Sequence, residues 1–219
     1  MRKESFVTGS YYHVYNRGVD KRDIFNNQKD VDRFLLSMNL FSYKTPTQSI
    51  QIALRDSVDV GRLQDEKLVS FVMFCLNPNH FHFLLKQEVE GGISEFMKRL
   101  QGGYTKYFNE KNKRSGSLFQ GKFKSSFAEK ENYFELLCGY VMWNDKMHDI
   151  PQEKLSLVYS SVNEYKTQNY FLIDKKEAEN IINVFGSFEN LTKHASEIIH
   201  ILREGRGKAE LSKDRFIDL

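Results

Sequence analysis

Leu68-Val69-Ser70-Phe71-Val72-Met73-Phe74-Cys75 and His80-Phe81-His82-Phe83-Leu84-Leu85, broken by Asn77-Pro78-Asn79, decide the fold. Both runs are apolar and aromatic, and the break between them holds a proline, which fixes its own φ, and asparagines, which tolerate turn geometry. The stretch from Lys67 to Lys86 therefore reads as a β-hairpin. Upstream, Ser10 to Arg17 is aromatic and β-branched and stops at Gly18, as a strand does. Between them, Val31, Phe34, Leu35, Met38 and Phe41 recur at helical spacing, so Asp30 to Phe41 is predicted as an amphipathic helix. Thr45 to Glu66 has weak periodicity and is read as strand fragments and loop.

Downstream of the hairpin, Ile93, Phe96, Met97, Leu100, Tyr104, Tyr107 and Phe108 mark a second helix after Gly91-Gly92. Leu118 to Phe127 alternates as a strand, and Asn132 to Trp143 has the apolar density of a third helix. Strand, helix, strand pair, helix, strand, helix implies an α+β, ferredoxin-like palm: a mainly antiparallel sheet with helices on one side. This unit takes residues 1–150. Residues 151–219 form a small helical C-terminal region, with helices around Ala178–Phe185 and Ala195–Leu202 and a charged end that frays from Arg203 onward.

A chain of 219 residues, 40% hydrophobic and 28% charged, buries a full core and fits one main unit plus an appendage. Cys75 and Cys138 are the only cysteines, which excludes a disulfide framework or a Cys-based zinc site and suits a reducing cytoplasm. No apolar run reaches the about 18 residues of a membrane span, and the N-terminus lacks an apolar signal core. A cytoplasmic protein is expected. The net charge of +3 is uninformative, but its distribution is not. From Lys98 to Lys130 nine basic residues face two acidic ones, so this segment is net +7 and the rest of the chain −4. Tyr104, Tyr107, Phe108, Phe119 and Phe123 interleave with those cations. The pattern fits a surface that grips phosphates and stacks bases, and equally a solvated helix face followed by a charged loop.

Two constellations carry chemistry. On a strand, residues two apart share a face, so His80 and His82 point together and can place two nitrogens on one metal; two histidines on a sheet surface would look the same in sequence. On the third helix, Tyr140 and Asn144 are one turn apart, about 6 Å on one face, and the Asn144 side-chain oxygen would complete a three-ligand site. A tyrosine packed by its ring, with an amide near the helix end, is the competing interpretation.

The chain resembles the single-tyrosine HUH (His-hydrophobic-His) transposases, and within them the REP-associated tyrosine transposase branch, over roughly residues 8 to 150. The resemblance rests on Tyr12-His13-Val14-Tyr15-Asn16-Arg17-Gly18, on Leu76 to Leu85, on Gly116-Ser117-Leu118-Phe119-Gln120-Gly121-Lys122-Phe123-Lys124-Ser125, and on Tyr140-Val141-Met142-Trp143-Asn144. It implies a ferredoxin-like palm, a divalent metal (Mg2+ or Mn2+) at His80 and His82 with Asn144 helping to hold it, and Tyr140 as nucleophile. It further implies a 5′-phosphotyrosine intermediate with a free 3′-hydroxyl, single-stranded or hairpin DNA as substrate, and a homodimer in which the tyrosine helix serves its own or a partner's His pair. Asp145 departs from the pattern, standing where a proline commonly follows the asparagine.

Given that resemblance, Arg17, Lys98, Arg99, Lys106, Lys122 and Lys124 are the candidate contacts to DNA backbone. His13 and His148 are left outside the metal set. The alternative function is a non-catalytic DNA-binding module on the same fold; a metal-dependent hydrolase that uses water is a third.

Overall fold

The predicted hairpin turns on just Pro78 and Asn79. The computed structural model describes residues 5–44, 66–129 and 133–207. In it, strand β1 (Tyr11–Arg17), helix α1 (Gln28–Phe41), strands β2 (Val69–Asn77) and β3 (His80–Gln87), helix α2 (Gly92–Lys111), strand β4 (Lys124–Phe127) and helix α3 (Tyr133–Met142) follow one another. A short strand β5 (Tyr159–Ser160) and helices α4 (Val162–Thr167), α5 (Lys175–Phe185) and α6 (Phe188–Gly207) complete the described chain. The sheet order is β4-β1-β3-β2-β5, with every neighbouring pair antiparallel. The first four strands and their two helices are the ferredoxin-like arrangement expected from the sequence. The predicted region Thr45 to Glu66 lies outside the described residues except for Glu66.

Alternation along β3 sends Phe81 and Phe83 to one face and His80 and His82 to the other. On the phenylalanine face, Phe34 of α1 packs 5.6 Å from Phe81, and Phe96 of α2 lies 6.4 Å from Phe83. Tyr104 closes this layer with its ring 4.8 Å from Phe34 and its hydroxyl donating to the Ile24 carbonyl at 2.7 Å. The opposite face is covered too, by α3 and by the C-terminal helices, so the expectation of helices on one side is corrected. The physical sign is β2, which is apolar without interruption from Phe71 to Leu76 and buried at every position, as for a strand covered on both faces.

Two further boundaries differ from the sequence reading. Only Lys124–Phe127 of the predicted strand Leu118 to Phe127 is a strand; Gly121 adopts φ +70°, and Phe119 keeps a single bridge to Gly18. The left-handed glycine bends the chain out of the ladder. Of the charged end expected to fray from Arg203, residues 203–207 are helical, with Arg203 donating to the Lys146 carbonyl at 2.8 Å and pairing with Asp149 at 3.0 Å, and residues 208–219 lie outside the described residues.

The C-terminal region packs directly on the palm. Glu164 accepts the amides of Phe171, Leu172 and Ile173 on one oxygen, and Tyr165 donates to the Val72 carbonyl of β2 at 2.8 Å. Glu177 of α5 pairs with Lys86 of β3 and accepts from the Tyr11 hydroxyl, both at 2.7 Å. Helix α6 presses on α3 at Gly139, where an added Cβ would meet the Ala195 Cα at 3.0 Å. Backbone cannot yield there as a side-chain tip would. Gly139→Val is therefore expected to push α3 and α6 apart and cost about 1–3 kcal/mol, lowering the urea midpoint at an unchanged slope; a midpoint equal to wild type would mean the two helices do not pack this closely. Among the described residues no helix is long and apolar enough to cross a membrane.

Candidate active site

The histidine face of the sheet is ordered by strand register. His80 stands opposite Arg17 of β1 and Asn77 of β2, and His82 stands opposite Tyr15 and Cys75. Tyr15 in turn pairs with Lys124 of β4. Residues directly opposite in an antiparallel ladder share a face, so the two imidazoles, Arg17, Tyr15, Asn77 and Lys124 all project on the side that α3 crosses. Helix α3 turns its apolar face onto the strands and brings Tyr140 with it. The Tyr140 ring stands perpendicular to the His82 ring at 5.4 Å and edge-on to the His13 ring at 5.8 Å. One chain thus assembles the phenol and the His pair.

Asn144 is not on the same helix as Tyr140. Helix α3 ends at Met142, and Asn144 opens a short 3-10 turn, Asn144–Met147. The tighter turn still swings the buried amide inward, leaving Asn144 Oδ1 3.1 Å from His80 Nε2.

The protons in this cluster can be followed one by one. Asn79 donates its Nδ2 to the Lys21 carbonyl at 3.2 Å, so its Oδ1 is the atom that faces His80 Nδ1. That oxygen only accepts, hence His80 Nδ1 carries the proton and Nε2 presents a lone pair, the tautomer a metal-ligating histidine needs. The lone pairs of His80 Nε2 and Asn144 Oδ1 would repel at 3.1 Å. Asn77 relieves this, its Nδ2 donating to both, at 3.0 and 2.9 Å. At His82, Nδ1 lies 2.8 Å from His13 Nε2. Burial pushes the His13 imidazole down to about 3, so this ring is neutral at pH 7 and a single proton bridges the two nitrogens.

Among the described residues no group of three or more His, Cys, Asp or Glu is arranged to hold a metal. The His80 imidazole and the Asn144 amide oxygen stand together instead, with the His82 ring 5.3 Å from that of His80. His80 Nε2 and Asn144 Oδ1 are separated by 3.1 Å; neighbouring donors about 2.1 Å from a divalent ion at right angles stand roughly 3.0 Å apart. The residues present fit a small divalent cation. Imidazole lone pairs and an amide oxygen bring no charge to a bound cation, so its charge would remain available to an anionic ligand.

Beside the pair lies a crevice of about 40 Å³ lined by Tyr15, Asn16, Arg17, His80, His82, Gln120 and Lys124. Burial lowers the pKa of Arg17, and its Nε is buried without a hydrogen-bond partner among the described residues. An unsatisfied guanidinium donor beside two imidazoles is suited to a phosphate oxygen. Lys122 is exposed on the turn leading to β4.

The α2 cations are not brought to this crevice. Lys98 and Lys106 are exposed beside Glu95 and Glu110, at 3.7 and 3.9 Å, while Arg99 is committed to Glu95 at 2.8 Å and to the carbonyls of Tyr43 and Lys44. Helix α2 packs through Phe96, Leu100 and Tyr104 on the phenylalanine face, away from the histidines. Its aromatics are spoken for as well: Tyr104 and Phe108 are core residues, as is Phe119 in the following loop, and Tyr107 donates to Asp30 at 2.8 Å. Phe123 lies against Phe6, ring centroids 6.4 Å apart. Base stacking on Tyr104, Tyr107, Phe108 and Phe119 is therefore replaced by structural roles.

Sequence reasoning left out His13, Asn77, Asn79 and His148, whose ring lies 4.6 Å from that of His80. For His13 a signal existed, since it shares the alternation of Tyr15 and Arg17 on β1.

Residues 6–144 match the family described as "Transposase IS200 like". No curated protein matches the chain. A solved structure titled "Structure of the REP associates tyrosine transposase bound to a REP hairpin" superposes with a TM-score of 0.51 at 11% identity, covering 78% of this chain and 87% of that one; at such low identity the likeness is one of fold.

Proposed function

This chain belongs to the IS200-like transposase family, and from that membership we propose that it cleaves and rejoins single-stranded DNA at hairpin-bearing sites, with Tyr140 as nucleophile and a divalent cation, Mg2+ or Mn2+, held by His80, His82 and Asn144. The observation that carries the proposal is the convergence inside one chain: Tyr140 edge-on to His82 at 5.4 Å, with His80 Nε2 and Asn144 Oδ1 3.1 Å apart beside it. The structural relative is bound to a REP hairpin, which supports the choice of substrate.

In the proposed reaction the Tyr140 oxygen attacks phosphorus and gives up its proton, the bond from phosphorus to the 3′ oxygen breaks, and that oxygen departs to become a 3′-hydroxyl. The 5′ end remains esterified to tyrosine. The ester retains the energy of the broken bond, so a 3′-hydroxyl can attack it, expel the phenol and rejoin strands without a nucleotide cofactor. A bound cation supplies charge withdrawal from a non-bridging phosphate oxygen. Arg17 and Lys124, at the crevice, orient and neutralise the phosphate, while His13 and Asn79 hold the two imidazoles in place through their Nδ1 atoms. Tyr140 is only 2% exposed, so entry of a phosphate requires α3 to shift against β3.

The test is incubation of the purified chain with Mn2+ or Mg2+ and end-labelled hairpin oligonucleotides. The expected result is a covalent protein–DNA adduct carrying the 5′ side of the cut, lost on chelation. Cut DNA with protein-free 5′-phosphates would instead identify a hydrolase, and salt-sensitive binding without cleavage over a broad substrate panel a non-catalytic module. For the crevice, Arg17→Ala is expected to weaken single-strand binding about tenfold and to reduce the slope of log K against log salt by about 0.7, the value for one lost phosphate contact. Fluorescence anisotropy across a salt series reads both, and an unchanged slope would remove Arg17 from the phosphate-binding set.

A further inference from the structure

Asn77 completes a triangle of donor atoms. The side chain is buried opposite His80 across the hairpin. Its amide nitrogen lies 3.0 Å from His80 Nε2 and 2.9 Å from Asn144 Oδ1, and these two are 3.1 Å from each other. Each edge equals the roughly 3.0 Å that separates neighbouring ligands of a small six-coordinate divalent cation. The amide is also used unevenly. Nδ2 serves two acceptors, whereas Asn77 Oδ1 is buried with no hydrogen-bond partner among the described residues. A buried amide oxygen without a donor is unfavourable and calls for an explanation.

A half-turn about the last side-chain bond exchanges the two ends of an amide and leaves its shape unchanged. Applied to Asn77, it would set Oδ1 against the lone pairs of His80 Nε2 and Asn144 Oδ1. Three acceptors within about 3 Å repel one another unless a cation lies between them, and with a cation they become its ligands. The Nδ2 hydrogens hold the same two acceptors in position, and an ion between the three atoms would take their place.

We infer that Asn77 is a further ligand of the divalent cation, turning its amide on loading so that Oδ1 joins His80 Nε2 and Asn144 Oδ1 around the ion. This rests on the proposed cation site at His80, and it makes the hairpin a two-ended clamp, with one ligand from the last residue of β2 and one from the first of β3.

Mn2+ binding to the full chain, followed by loss of the free-ion electron paramagnetic resonance signal, tests it, with water-proton relaxation counting ion-bound waters. Asn77→Ala is expected to weaken Mn2+ binding about tenfold and to add one bound water. Asn77→Asp, isosteric and negatively charged, is expected to tighten binding by a similar factor. Binding by Asn77→Ala that equals or exceeds wild type, with no added water, would show that Asn77 only donates to His80 and Asn144 and would overturn the inference. If Asn77→Ala fails to fold by circular dichroism, Asn77→Asp decides alone, and unchanged or weaker binding overturns it. His80→Ala separates the two levels: wild type that binds no Mn2+, or His80→Ala that binds as wild type does, refutes the underlying cation site, whereas loss in His80→Ala with no change in Asn77→Ala refutes the role of Asn77 alone.

Discussion

Tyr140→Phe is expected to eliminate the covalent DNA adduct, lowering cleavage by roughly a thousandfold or more, while leaving fold, Mn2+ binding and DNA affinity close to wild type. The reason lies in what the phenol does in the structure. Its ring fills the space beside His82 and His13, and phenylalanine keeps that packing. Only the oxygen is removed, and with it the proposed attacking atom. Gel analysis of adduct and free product with labelled hairpin DNA reads the effect. Equal adduct in wild type and variant would transfer the nucleophile to another residue, and loss of thermal stability alongside loss of cleavage would mean the hydroxyl is structural.

The second large effect is expected from His80→Ala and His82→Ala. Each removes one of the proposed imidazole ligands, so Mn2+ binding and cleavage should fall together, cleavage by about two to three orders of magnitude for loss of charge stabilisation worth several kcal/mol. Excess Mn2+ should recover little. DNA binding through Arg17 and Lys124 should persist, because those cations come from β1 and β4. The single-chain geometry adds a sharper expectation: since Tyr140 stands over its own chain's His82, mixing His80→Ala with Tyr140→Phe should leave the mixture as inactive as either alone. Recovered activity would mean that the tyrosine helix passes between copies. Cleavage that survives both histidine substitutions would separate the chemistry from the His pair altogether.

Much of this was readable in residues that act through local rules. Pro78 between two apolar runs fixes a tight hairpin, and period-two alternation from His80 to Phe83 assigns histidines and phenylalanines to opposite faces whatever the rest of the fold does. The apolar density of Asn132 to Trp143 likewise places Tyr140 on a helix. What escaped depends on contacts distant in sequence. His13 meets His82 across 69 positions, and strand alternation shows a shared face without showing which strands are neighbours. Asn77 and Asn79 were read as turn formers, which they are, while their side-chain amides also address His80 from both sides. The aromatics among the cations of α2 fit two readings by composition, and position decides between them: Tyr104 and Phe108 lie on the apolar stripe of that helix, and the stripe belongs to the core. Asn144 shows the opposite case, an incorrect helical placement that still delivered the amide to His80, because an α-helix and a 3-10 turn both bring the chain round within about four residues.

Sequencing the DNA-linked peptide is the most direct measurement. After reaction with hairpin DNA, trypsin should release the adduct on residues 131–146, a peptide with two tyrosines, Tyr133 and Tyr140. Tyr133 shares a hydrogen bond with Ser126 at 3.1 Å and serves as an internal control. Fragmentation by mass spectrometry is expected to place the nucleotide on Tyr140. A nucleotide on Tyr133 or on any other residue would contradict the arrangement of phenol, imidazoles and amide as a catalytic centre.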